Sequence, residues 1–306
     1  MKRVSIAIIL VFLVLQCAPR TEVRIGSTSN EPLTTTFSLK PVVPIAGPGY
    51  AVDTIGVGEV DWGGGIVKAK GTGIIDPENS NKAQARLMAK RAAVVVAQRN
   101  LLEAVKGVRV NSETIVENYM TKSDLIYTCV EGVVKGARLI GEPKYDEEQG
   151  IVEVEMTISL YDKKGLSDAI TKPVPLPEEY KKLAPDVRAL LQTYSGVVFD
   201  AKGTDLKPSL FPKIYDENGN LLLDTKDYID IESSYGRRVV QYIQEMDEIL
   251  EDPDLKDNPL VIKVKDIRGK LGSDIVISNK NADRYKWLKD AFHFLMDAGR
   301  TFIKIL

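Results

Sequence analysis

The sequence predicts an α+β protein of two small modules, each an antiparallel or mixed sheet with helices packed on one face. Three observations carry that expectation. From Ile151 to Leu160 apolar and polar residues alternate: Val152, Val154, Met156, Ile158 and Leu160 fall on one side, Glu153, Glu155, Thr157 and Ser159 on the other. This is the period of a strand with one wet face. Residues 83–105 instead carry apolar side chains at helical spacing,. The chain of 306 residues is long enough for two cores, and Pro173, Pro175, Pro177 and Pro185 punctuate its middle among charges,. The expected organisation is a signal peptide with a lipid-attachment site (1–17), a flexible tether (18–50), a first domain (51–162), a Pro-rich linker (163–194) and a C-terminal domain (195–306).

The first residues decide where the chain goes. Met1-Lys2-Arg3 is a basic start, and Val4 to Leu15 is apolar except for Ser5. About a dozen residues span roughly 18 Å as helix, too short for a bilayer that needs roughly 20 residues, so the run reads as an export signal. Val14-Leu15-Gln16-Cys17 resembles a lipobox, with Gln16 where a small residue is usual. Lipid on Cys17 is the expected outcome; soluble export is the alternative. Thr34-Thr35-Thr36 with Pro41, Pro44 and Pro48 reads as a polar tether,.

Val52–Val60 and Ile66–Ile74 predict two strands joined by the turn Trp62-Gly63-Gly64-Gly65,. An Asn or Ser at 79–81 caps a long helix whose expected buried face is Ala83, Leu87, Val94, Leu101 and Val105, ending at Gly107,. Its many alanines allow close approach to a sheet. A weaker helix is expected near Ser123–Val134, followed by a hairpin from Ala137 through Asp146–Gly150 into the strand at Ile151. Inside the linker at most a short helix is expected, over Pro185–Gln192. The second module should contain a strand at Gly196–Asp200. A hairpin around Asn218-Gly219 with a type I′ turn follows. A helix over Tyr235–Glu251 is expected to bury Val239, Ile243, Met246 and Leu250. Strands at Leu260–Ile267 and Asp274–Ser278, a helix over Ala282–Ala298 and a final strand at Thr301–Leu306 complete it.

Composition narrows the chemistry. With 41 Lys and Arg against 43 Asp and Glu the net charge is −2, which argues against nucleic-acid binding. A single histidine, His293, weighs against zinc and His-dependent catalysis,. Cys129 sits in an apolar pattern with Ile126, Val130 and Val133 and reads as a buried, inert thiol rather than a nucleophile paired with His293. The glycines of Gly56–Gly73 match no phosphate-loop spacing and read as turn glycines. Asp216, Asn218 and Asn220 have calcium-loop spacing but lack the glycine and glutamate that such a loop needs, so a hairpin explains them. The acidic cluster Asp247, Glu248, Glu251, Asp252 and Asp254 reads as a solvated helix end. Lys82, Arg86, Lys90 and Arg91 give the long helix a basic side, either solvated or facing an acidic partner or anionic envelope polymer. No catalytic, cofactor or metal residues are expected, and Cys17 is the one assigned position.

The stretch Asn81-Lys82-Ala83-Gln84-Ala85-Arg86 through Ala92-Ala93, then Asn100-Leu101-Leu102, resembles the helix of the bacterial twenty-kilodalton surface-lipoprotein family. It is also similar to the N-terminal domain of flagellar assembly protein T. Val130–Ala137 and Val152–Leu160 fit the later parts of the pattern, and the resemblance covers residues 50–162. It implies a lipoprotein-type domain with an envelope role, often cell-surface or flagellar, without catalysis. Val197 through Asn218-Gly219, Asn258–Lys263 and Asp274–Asn279 look like a C-terminal module found beside such domains. The expected function is therefore a membrane-tethered envelope lipoprotein, outer-membrane or periplasmic, that binds other envelope proteins and no nucleic acid. The alternative is an envelope hydrolase using carboxylates on glycan or peptide substrates.

Overall fold

Alternating β-branched and polar residues, interrupted by glycine turns, build the first sheet. The computed structural model describes residues 51–171, 175, 182–229 and 238–305. The segment expected as one strand over 52–60 is two, β1 (Val52–Ile55) and β2 (Gly58–Asp61), because Gly56 turns the chain at a φ of +57°. β3 (Ile66–Ile74) follows. The helix α1 (Lys82–Lys106) is capped by Asn81, whose side chain accepts a hydrogen bond from the Gln84 amide at 3.1 Å, and it ends at Gly107. Next come α2 (Val116–Lys122), α3 (Asp124–Lys135), β4 (Arg138–Leu139), β5 (Lys144–Asp146) and β6 (Ile151–Ser159). All pairings in this sheet are antiparallel, in the order β1-β2-β3-β6-β4, with β5 also on β6. Val152, Val154, Met156 and Ile158 are buried, as their alternation requires.

The long helix lies on this sheet by a face that shares only Leu101 and Val105 with the expected one. Ala85, Ala89, Ala93, Ala97 and Leu101, spaced four apart, are buried with Ala104 and Val105, while Ala83 and Leu87 are exposed. Gly71 and Gly73 in β3 explain the choice. A Cβ on Gly71 would lie 2.2 Å from the Ala93 carbonyl oxygen and the Ala97 nitrogen; one on Gly73 would lie 2.0 Å from the Ala89 oxygen. These are not turn glycines. They are a floor onto which only a row of alanines fits, and a larger residue such as Leu87 must face out.

Among the described residues of 163–194 two helices form. α4 (Leu166–Thr171) buries Leu166 and Ile170 and packs on α3, and α5 (Pro185–Thr193) starts with the proline suited to a first helical turn,. The second sheet is built from β7 (Gly196–Asp200), β8 (Lys213–Asp216), β9 (Leu221–Asp224), β10 (Gln241–Ile243), β11 (Pro259–Arg268), β12 (Asp274–Ile277) and β13 (Thr301–Lys304), with α6 (Asp247–Leu250), α7 (Asn279–Arg284) and α8 (Leu288–Asp297) between them. The order is β10-β13-β7-β11-β12-β8-β9. β10, β13, β7 and β11 run parallel, β11–β12 and β8–β9 are antiparallel, and β12–β8 is parallel. The two sheets with their helices make the protein α+β, as the sequence predicts.

Two expectations in this half change. Residues 241–243 of the expected helix 235–251 are a strand, because Val239, Val240, Gln241, Tyr242 and Ile243 are all buried in succession. A β-branched and aromatic run buried on both faces suits a parallel strand better than an amphipathic helix. The Asn218-Gly219 turn is not type I′: only Gly219 has a positive φ, +84°. The Gly219 amide bonds the Asp216 carbonyl oxygen at 3.0 Å, and β8 and β9 pair with a register shift. That is a type I turn followed by a left-handed glycine.

Two glycine-to-alanine changes should have opposite signs. Gly73→Ala forces α1 off β3 and should cost about 2–3 kcal/mol. Gly132 is exposed in α3, and a Cβ added there would meet nothing within 4 Å, so Gly132→Ala should gain about 0.5–1 kcal/mol. Urea unfolding of both variants checks the pair; equal shifts would contradict the seating of α1.

Candidate functional site between the two sheets

After α1 stops at Gly107 the chain runs through Arg109-Val110-Asn111-Ser112, and this short segment joins the two halves. The Leu210 amide bonds the Arg109 carbonyl at 3.0 Å, the Phe211 amide bonds that of Val110 at 2.9 Å, and the Leu271 amide bonds that of Ser112 at 2.7 Å. The Arg109 guanidinium donates through Nε to the Pro208 oxygen at 2.6 Å and through Nη2 to the Asp53 carboxylate. It lies over the Trp62 ring, 5.6 Å from its centroid. Trp62 donates Nε1 to the same carboxylate at 2.7 Å and meets Tyr242 edge-on at 6.1 Å. Tyr242 in turn exchanges hydrogen bonds with the backbone of Ser209. Burial raises its hydroxyl pKa well above the ordinary tyrosine value,. On the same side Arg238 donates to the Gly63 oxygen at 3.1 Å and stacks over Tyr161 at 4.5 Å. Burial pushes the Tyr161 hydroxyl up to about 12.

Beside this joint lies a polar cleft of about 330 Å³, lined from the first half by Asn111, Glu113, Tyr119 and Lys122 and from the second by Lys213, Tyr215 and Asp274, among others. Lys226 lies over Tyr119 at 5.1 Å and Arg268 over Tyr215 at 4.5 Å. Asp274 is the buried ionisable group. One carboxylate oxygen accepts from the Ser112 hydroxyl and the other from the Lys213 amide at 2.9 Å. Burial raises its pKa above the ordinary carboxylate value, with the Ser112 and Lys213 bonds pulling it back,. Lys213 pairs with Asp224 at 2.8 Å. The arrangement holds a carboxylate as a strut between halves. A separate apolar pocket of about 240 Å³ lies under β9, lined by Phe199, Ile214, Leu223, Ile277, Tyr285 and Leu288 among others.

The residues singled out in sequence are scattered. Cys17, with the expected leader and tether over 1–50, lies outside the described residues. Cys129, expected to be a buried thiol, is instead half-buried on the flank of α3, whose buried positions are Val130 and Val134. His293 is half-buried on α8, edge-on to Phe294 at 5.4 Å. Asp216 accepts from the Asn220 backbone and side-chain amides, both at 2.8 Å, which holds its pKa below the ordinary value and spends both oxygens on the turn. Asp247 and Glu248 open α6 rather than ending a helix, and Glu248 accepts from the amides of Gln244 and Glu245 at 3.0 and 2.7 Å. Their charge therefore favours the helix dipole instead of opposing it. Arg86 pairs with Glu147 at 2.6 Å. Among the described residues no group of three metal-ligating side chains converges, and no helix is long and apolar enough to cross a membrane. Reading the sequence missed Ser112, Tyr215 and Asp274; the partners of Asp274 lie 61 and 162 positions away along the chain.

Two variants separate strut from ornament. Ser112→Ala removes a buried hydrogen bond to a carboxylate and should cost about 1.5–3 kcal/mol at pH 7. Asp274→Asn keeps the shape and should cost less. Because the folded pKa of Asp274 lies above the unfolded one, the native state holds this proton more tightly. Its contribution to stability therefore grows as pH falls through the folded pKa and levels off below the ordinary carboxylate value of about 4. Urea unfolding from pH 8 to 4 should show that gain in the native protein and not in Asp274→Asn; identical pH profiles would contradict it.

No curated protein matches the chain. Residues 196–303, from the first residue of β7 into β13, match the family model described as Treponema pallidum Tp0624, second domain, to which the second half of this chain is thus similar.

Proposed function

We propose that the chain is a non-catalytic envelope lipoprotein, tethered through Cys17, that acts as an interaction or assembly module. The observation that supports this reading best is the use made of the buried carboxylate in the cleft. Asp274 accepts from Ser112 through one oxygen and from Lys213 through the other, so its hydrogen bonds join the halves. The basic start, the short apolar run and Val14-Leu15-Gln16-Cys17 support export and lipidation,. Two acyl chains or more on one cysteine, at ~0.8 kcal/mol per buried methylene, make a stable anchor. The resemblance of residues 50–162 to surface lipoproteins and to the flagellar assembly protein brings an outer-membrane or flagellum-associated role within the same proposal. A hydrolase is the second reading, favoured by Glu113 and Asp274 lining one cleft.

Intact-mass measurement of the protein from its own membrane, coupled to identification of cross-linked neighbours in native membranes, tests the proposal. The expected mature chain starts at Cys17 with two or three acyl chains, and Glu113→Gln leaves its set of neighbours unchanged. A chain starting elsewhere would sink the anchor. Cleavage of envelope glycan or peptide that disappears in Glu113→Gln would establish the hydrolase instead.

A further inference from the structure

The outer side of α1 is the unusual surface of this protein. From Ala85 to Ala97 its inner row is alanine, so the larger apolar residues Leu87, Met88, Val95 and Val96 of those turns face outward. Leu87, Met88 and Val95 are 63%, 59% and 57% exposed, and Val96 36%. Leu87, Arg91, Val95 and Arg99 follow one another at four-residue spacing, so they form one outward row,. The helix carries six cations, Lys82, Arg86, Lys90, Arg91, Arg99 and Lys106, against one carboxylate, Glu103, in a chain whose net charge is −2. Arg91 and Arg99 form no ion pair among the described residues.

We infer that this face of α1 lies on an anionic lipid surface. Apolar side chains interspersed with arginines on an exposed helix bury the former at the acyl boundary and place the latter among acidic headgroups. The excess positive charge complements an acidic bilayer and opposes pairing with the same face of a second copy. The inference rests on the anchor proposed above in one respect: a lipid at Cys17 would hold the helix at high local concentration beside the bilayer. It adds an orientation that the anchor alone does not supply, with α1 down and the opposite side of the first sheet away from the membrane.

The test places photoreactive benzoylphenylalanine at position 95 of the full-length, membrane-purified protein. Vesicles of phosphatidylglycerol and phosphatidylethanolamine are compared with vesicles of phosphatidylcholine. The expected product is a lipid adduct at position 95 on the anionic vesicles, with little on the neutral ones. Each basic residue near an acidic surface changes partitioning about fivefold, so Arg91→Gln with Arg99→Gln should lower the adduct on the order of twentyfold. Both residues are surface-exposed, and an unchanged urea midpoint confirms that the double variant folds. Association with both vesicle types without a lipid adduct at position 95 overturns the docking and leaves the anchor standing. Association with anionic vesicles alone, with the adduct, supports the docking and overturns the anchor. Association with neither overturns both. A protein adduct from position 95 in native membranes, in place of lipid, would assign the face to an acidic protein partner and overturn the inference.

Discussion

The close approach of α1 to β3 is the constraint from which the rest of the first half follows. Gly71 and Gly73 leave no room for a Cβ under Ala89, Ala93 and Ala97, so backbone meets backbone across a layer of methyl groups. Packing this tight fixes the rotation of the helix, because any other row would push a leucine, valine or arginine into the glycine floor. Fixing the rotation decides what faces solvent. The same stretch that lays down alanines inside lays down Leu87, Arg91, Val95 and Arg99 outside. A helix so placed gains little from its own amphipathicity and much from contact, and it leaves an apolar and basic surface uncovered.

A second constraint binds the halves. The segment 109–112 gives its carbonyl groups to Leu210, Phe211 and Leu271, while the Arg109 side chain bonds the Pro208 oxygen and the Ser112 hydroxyl bonds Asp274. Burying a carboxylate is expensive unless its oxygens are satisfied, and Asp274 is satisfied from both sides of the joint. The cleft beside it is polar because the joint is polar. Asp274 is the cleft carboxylate that bonds across the joint, through Ser112.

Much of the architecture is legible along the chain. The alternation in β6, the extent of α1, the strands β7, β11 and β12 and the hairpin at Gly219 all announce themselves through local period or turn chemistry. The errors have a shared cause. Periodicity ranks residues by hydrophobicity and so places Leu87 inside, whereas the glycines of a strand ten or more residues away select alanine. The run Val239–Ile243 is apolar enough for either element, and only its position beside β13 makes it a strand. Glycines at 71 and 73 carry no turn signal of their own; their meaning lies in what packs above them. The cleft is hidden from the sequence for the same reason. Ser112 and Asp274 are ordinary residues until the fold brings them together, and nothing in their neighbourhoods marks them as a pair.

The seating of α1 is the claim on which both the packing and the proposed membrane-facing surface rest, and hydroxyl-radical footprinting of the unmodified protein in solution tests it without any substitution. Met88 and Leu87 on the outer face should be oxidised rapidly. Leu101 on the inner face, with Met120 and Met156 as buried references at 4% exposure each, should be oxidised slowly. Oxidation of Met88 at the rate of Met156, or of Leu101 at the rate of Leu87, would mean that the helix sits on its other side and would contradict the account.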